Sequence, residues 1–299
     1  MLKRIILFLV INIAVVILIT IIFAILEHFF GIKLDLYGQN YISIWIYAAI
    51  IWFFGSFISL FMSRWSAKRA YSIVPITRDE SFWLRWKEKI VWDTVADLAE
   101  RNHIDMPEVW IYQSVEPNAF ATWASKNSSI VAVSTWLLDI MDEKAIEWVV
   151  AHEMAHILNW DMVTMTLLQW VLNTFVVFFA RVVANIIASR SDEWMSWLAY
   201  MWVYVLLEVV FWLLATPILM AFSRHREYRA DAWSAEFVWK EKMIAWLEAL
   251  RWMQGLAPSD WDNLSTMKIS TKPRWWIVAL YSSHPSLEDR IKALEELRI

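Results

Sequence analysis

Four long apolar runs decide what this chain can fold into: residues 5–26, 41–62, 167–187 and 194–222. Each holds the ~20 mostly apolar residues that a helix needs to cross ~30 Å of hydrocarbon. A membrane protein is expected, and the runs account for a composition that is 59% hydrophobic, above the ~45–50% of soluble domains. The first run is broken only by Asn12 and Thr20. It is longer than the ~7–15 residues of a signal-peptide core and no small-x-small cleavage site follows, which favours an anchor over a cleaved leader. Lys3 and Arg4 precede it, and Arg64, Lys68 and Arg69 follow the second run, while the stretch between them holds only Lys33 as Lys or Arg. Positive charge marks the cytoplasmic side, so both ends of an N-terminal hairpin, 1–63, are expected to face the cytoplasm.

Between and after the runs lie two polar stretches, 64–166 and 223–299, separated by a second apolar hairpin, 167–222. Residues 79–101 carry Trp83, Trp86, Ile90, Val91, Val95 and Leu98 near helical spacing and predict an amphipathic helix. Short apolar pieces at 109–112, 119–121 and 130–133, parted by turn-rich segments, predict a small sheet or meander. Asp142 is placed to cap a helix through Ile146, Val149, Val150 and His152, which could run on into the third apolar run. Residues 223–254 read as helix, 261–276 as loop and 285–299 as a closing amphipathic helix. The expected class is a mainly α membrane protein with a small β-sheet. A net charge of −4 and the lack of a basic stripe argue against a nucleic-acid partner. With no cysteine, disulfides and thiolate sites are excluded, and any metal must sit on His and carboxylate.

The chemistry is concentrated in His152-Glu153-Met154-Ala155-His156, an H-E-x-x-H. On a helix, residues four apart share a face, so both imidazoles can reach one zinc ion at ~2.0–2.1 Å. Glu153, one residue past the first histidine, reaches a water held by the ion and can take its proton as general base. The plain alternative is two histidines on a polar helix face. The strongly helical, amphipathic flanks, 146–150 and 157–158, favour the metal. A catalytic zinc takes three protein ligands and a water. Candidates for the third are His28, His103 and Glu227, with His28 expected across the membrane and His103 in a loop. Glu227 is followed four residues later by Asp231, which could accept a hydrogen bond from a ligand imidazole. Glu227 could equally be a solvated helix carboxylate paired with Arg224 or Arg226. Two apolar runs separate His156 from Glu227, so a hairpin returns Glu227 to the side of His156. Arg181 and Glu208 could pair inside that hairpin.

Several stretches together carry a family resemblance: 118–122 (Asn-Ala-Phe-Ala-Thr), 150–156 around the H-E-x-x-H, Asn159-x-Asp161-Met162, 222–232 containing Glu227 and Asp231, and Ser283-His284-Pro285-Ser286-Leu287. Over essentially its whole length the chain resembles the HtpX family of bacterial and archaeal membrane metalloproteases, relatives of the CAAX prenyl proteases. The latter have more spans than this chain can hold. The resemblance implies a zincin-like metalloprotease domain with one zinc ion on His152, His156 and Glu227. Glu153 would be the catalytic base, Asp231 the partner of a ligand imidazole and His284 a group steadying the oxyanion. Asn118, Ala119, Phe120 and Ala121 would form an edge strand that pairs with extended substrate. It also implies a multi-pass protein of the inner (cytoplasmic) membrane, catalytic domain toward the cytoplasm, cleaving misfolded or damaged membrane proteins.

One feature departs from that family. The chain has 4 Gly and 23 Trp, where ~7% usage would give roughly 21 Gly. Trp123, Trp136, Trp160, Trp170 and Trp233 stand where the family usually has Gly. Gly supplies φ > 0 or close approach, and each crowded site costs about 1–3 kcal/mol. Such crowding would put cleft geometry in doubt, and a non-catalytic membrane adaptor that keeps the metal site is the alternative. Transport through Arg181 and Glu208 is a weaker third reading.

Overall fold

In the computed structural model, residues 41–71, 76–77, 81, 84–114, 118–122, 128–188, 193–237, 239–256 and 280–297 are described. The first apolar run, His28, Trp123 and the 261–276 segment lie outside them. In chain order the described elements are α1 (Tyr41–Tyr71), α2 (Trp86–Arg101), β1 (Glu108–Tyr112), β2 (Ala119–Thr122), β3 (Ile130–Ser134), α3 (Thr135–Ile140), α4 (Glu143–Leu158), α5 (Asp161–Ala188), α6 (Glu193–Phe237), α7 (Lys240–Leu256) and α8 (Leu287–Glu296). The chain divides into two compact units, Met1–Ser59 with Thr166–Pro217, and Leu60–Met165 with Ile218–Ile299.

The first unit is built from apolar helix. Both α5 and α6 contain stretches long and apolar enough to cross a membrane. At 45 residues, α6 is about 68 Å long, more than twice the hydrocarbon thickness. Its apolar part ends at Phe222, and charged turns follow from Ser223. Large side chains such as Trp202, Leu206 and Leu214 are 63–73% exposed, as lipid contact requires. Trp45 meets Phe175 and Phe178 edge-on at 4.9 and 5.2 Å. Trp170 donates its indole N–H to the Ala49 carbonyl at 2.8 Å. The Arg181 guanidinium lies 5.5 Å from the centre of the Tyr204 ring.

The second unit is organised around α4. Ten of its 16 residues are buried, on every side, so this helix must be enclosed. Val91, Val95 and Leu98 of α2, Val131 and Val133 of β3, Met243 and Leu247 of α7, and Leu287, Ile291 and Leu294 of α8 share its core. The side chain of Asp142 accepts from the Ala145 amide at 2.8 Å and starts α4. The sheet is not a meander. Its order is β1-β3-β2, with β3 parallel to β1 and antiparallel to β2. The apolar run Ile130-Val131-Ala132-Val133 takes the centre because all of it is buried. That leaves β2 at an edge. Ser134 fixes both ends of this arrangement: its Oγ accepts from Leu137 to cap α3 and from the Asn118 amide at 2.9 Å to anchor the start of β2.

Other differences from the expected elements have local causes. α2 begins at Trp86 instead of at 79, because Arg85 is extended and donates its backbone N–H to Glu88 Oε2 at 3.1 Å and its Nε to Oε1 at 3.0 Å, which ties the chain back onto the first turn there. α4 does not run on into the third apolar run. It stops at Asn159, and Trp160 takes φ 59° before α5 begins. The helix expected over 223–254 divides at Trp239, φ 31°. The Trp crowding is milder than expected: Trp136, Trp170 and Trp233 are half-buried, Trp233 packing against the edge of the core, and Trp160 is exposed, so none of these is fully buried.

Candidate active site

Two helices deliver the ligand candidates, α4 and the charged end of α6. Helical spacing on α4 turns His152 and His156 the same way, with ring centres 4.8 Å apart. Glu227 arrives from α6, 3% exposed. Its Oε2 lies 3.4 Å from His152 Nε2 and its Oε1 lies 3.6 Å from His156 Nε2. One ligand atom from each of the three residues falls within 4.8 Å of the others. Of the other candidates for this position, His103 sits in the turn after α2, φ 51°, and His28 is outside the described residues.

Each histidine is held from behind. His152 Nδ1 lies 2.9 Å from Asp231 Oδ1, and the buried Arg290 grips Asp231 with Nε at 2.6 Å and Nη2 at 2.5 Å. His156 Nδ1 lies 2.6 Å from Asp161 Oδ2. Burial alone would push the His152 imidazole down, but Asp231 and Glu227 outweigh it and hold the metal-free group up at about 9. Burial would likewise raise the Glu227 carboxyl, yet the facing His152, His284 and His156 keep it well below its usual range. For Asp231, burial is outweighed by Arg290 and then His152, again in the downward direction.

Glu153 faces a cleft of about 290 Å³ lined by β2, α3, α4 and α7 residues together with Arg226, Glu227, His284 and Arg290. The Ala121 amide of β2 donates to Glu153 Oε2 at 2.8 Å. Asn118 bonds inward to Ser134, so by alternation Ala119 and Ala121 turn their backbone groups outward, toward the open edge. His284 is 42% exposed, with Nδ1 3.2 Å from Glu227 Oε2. The structure thus brings together His152, Glu153, His156, Glu227, Asp231, His284 and the Asn118–Ala121 strand. Sequence reasoning missed Arg290, whose place on α8 carries no local signal. It also gave no role to Asp161, although a carboxylate five residues past His156 was visible.

The donor set fits a small divalent ion. Each Nε2 faces its own Glu227 oxygen, His152 with Oε2 at 3.4 Å and His156 with Oε1 at 3.6 Å, and one ligand atom from each of the three residues lies within 4.8 Å of the others, so two imidazoles and a buried carboxylate converge as a zinc site requires. Each Nδ1 has a carboxylate oxygen within 2.9 Å, an arrangement that turns both Nε2 atoms toward the ion.

A membrane-anchored peptidase is the class that this fold and site define. The profile of peptidase family M48 matches residues 85–298, and the chain belongs to that family. Full-length relatives include protease HtpX of Idiomarina loihiensis, 43% identical over 99% of this chain and 100% of the relative. Protease HtpX of Pasteurella multocida is 45% identical over 98% of both. Among solved structures, S. mikatae Ste24p superposes with TM-score 0.61 at 15% identity, covering 91% of this chain and 64% of that one; at that distance the likeness is one of fold.

Proposed function

We propose that this chain is a zinc-dependent endopeptidase of the inner membrane, with its site on the cytoplasmic side, that cleaves misfolded or damaged membrane proteins. The observation that carries the reading is the convergence of His152 Nε2, His156 Nε2 and the Glu227 carboxylate beside Glu153, within one cleft. Two imidazoles and one carboxylate with no thiolate suit zinc. The ion, when bound, supplies Lewis-acid polarisation of the scissile carbonyl and of a water.

The protein's own groups do the rest. An extended substrate adds to the β2 edge, pairing with the outward N–H and C=O groups of Ala119 and the C=O of Ala121. An edge that takes peptide backbone along its length suits cleavage within a chain. Glu153 removes a proton from the attacking water as its oxygen bonds to the carbonyl carbon. It then returns that proton to the leaving nitrogen as the C–N bond breaks. Asp231 and Arg290 keep His152 in the tautomer that ligates. With Nδ1 engaged by Glu227, His284 has only Nε2 left to offer the developing oxyanion.

Glu153→Gln tests this. The variant is expected to bind one zinc per chain with wild-type affinity and to lose about 10²–10⁴-fold in peptide cleavage. Full turnover by it removes Glu153 from the mechanism, and a wild-type chain without zinc removes the metal.

A further inference from the structure

We infer that Asp161 and Arg229 form a second orienting relay, one that aims His156 as Asp231 and Arg290 aim His152. The inference rests on the metal reading above and adds two positioning residues to it. Asp161 is 1% exposed, and its two oxygens divide their work: Oδ2 lies 2.6 Å from His156 Nδ1, and Oδ1 accepts from Arg229 Nη2 at 3.3 Å. The same Nη2 reaches the Asn159 carbonyl at 3.4 Å. Each histidine therefore has an aspartate behind it, and each aspartate an arginine. The carboxylate at His156 Nδ1 fixes the ring with Nδ1 protonated and Nε2 toward Glu227, and the guanidinium holds that carboxylate in place through its other oxygen.

The break between α4 and α5 gains a reason from this. In an unbroken helix, residue 161 would sit about 140° around the axis from His156 and about 7.5 Å along it, out of reach of the ring. Instead the chain stops at Asn159, whose amide bonds back to the Ala155 carbonyl at 2.9 Å, and reverses through Trp160 at φ 59°. That turn folds Asp161 back to 2.6 Å from the ring. Arg229, on α6 two residues past Glu227, ties the turn to the helix that supplies the third ligand candidate. Loss of the relay should free His156 to rotate, which lowers affinity for the ion before it lowers fold stability.

The test is zinc affinity, measured by competition with a chelator on full-length protein in detergent, alongside the melting temperature of the metal-free form. Asp161→Ala is expected to weaken zinc binding about 10–100-fold. Asp161→Asn should recover part of that, since it keeps an acceptor, and Arg229→Met should give a smaller loss. Zinc binding by Asp161→Ala within about twofold of wild type overturns the relay, as does a lower melting temperature with unchanged affinity. Should Asp161→Ala fail to fold, unchanged affinity in both Asp161→Asn and Arg229→Met does the same. A wild-type chain that binds no zinc defeats the metal reading and this inference with it, whereas zinc bound equally by all four proteins defeats this inference alone.

Discussion

Trp160 and Trp239 carry the backbone through φ of 59° and 31°, the region where an L-residue with a Cβ costs about 1–2 kcal/mol and glycine costs nothing extra. Both side chains are exposed, at 44% and 73%, so little packing is lost on removal. Trp160→Gly and Trp239→Gly are each expected to stabilise the second unit, raising its melting temperature by about 2–4 °C per kcal/mol; a fall would mean the indoles contribute packing that outweighs the strain. The pattern is systematic, since 23 Trp stand against 4 Gly. A single codon that the cell decodes as glycine but that stands here as tryptophan would produce it. Peptide mass spectrometry on protein from its own cells checks this, and tryptophan found at 160 and 239 ends it. Also at this scale, His152 in the metal-free protein is held at about 9. It is protonated at pH 7 and must lose that proton before ligating. Through this residue, apparent zinc affinity rises about tenfold per pH unit up to pH 9 and levels above it. Calorimetry in two buffers of different ionisation heat should register a proton released at pH 7.

Among the elements, α4 was the most legible in the sequence, because an H-E-x-x-H inside an apolar helix with Asp142 at its start leaves few alternatives. The strands were legible as segments, from the apolar runs at 109–112 and 130–133. Their order was not, because a parallel β1–β3 pair enclosing β2 in sequence depends on packing against α4 and leaves no local mark. The end of α4 was missed for a related reason: the signal for a left-handed turn is glycine, and position 160 holds Trp. Arg290 was invisible because its partner lies 59 residues earlier on another helix. That pair now supports a prediction about how α6 and α8 are joined. Arg290→Met leaves the buried Asp231 carboxylate with His152 as its remaining charged partner and is expected to cost about 3 kcal/mol at pH 7 by denaturant unfolding of the metal-free protein. Asp231 sits below its ordinary range in the folded state. Its stabilisation is therefore complete above about pH 4 and is lost as pH falls through the lower folded value. The gap between variant and wild type should narrow at pH 3, and an unchanged gap would assign the loss to packing of the arginine stem.

At the scale of the whole molecule, the site joins chain segments on either side of the second apolar hairpin. His156 precedes α5 and Glu227 follows the apolar part of α6, yet their ligand atoms stand 3.6 Å apart. Two crossings, or none, satisfy that separation; a single crossing would leave the ligands on opposite faces. On the proposed membrane topology there are two, since α5 and α6 both contain stretches long and apolar enough to cross. The basic residues Arg224, Arg226 and Arg229 then follow the last crossing, as Arg64, Lys68 and Arg69 follow the run at 41–62, and both clusters call for the cytoplasmic face. The native chain has no cysteine, so a single introduced thiol reports sidedness without background. Glu100→Cys, exposed on α2 of the catalytic unit, should react with a membrane-impermeant maleimide only in inverted inner-membrane vesicles. Lys33→Cys, between the first two apolar runs, should react only in right-side-out spheroplasts. Labelling of both from the same side would leave the run at 41–62 uncrossed and undo the charge argument. The reverse assignment would move the catalytic unit to the outer face and overturn the proposed cytoplasmic orientation.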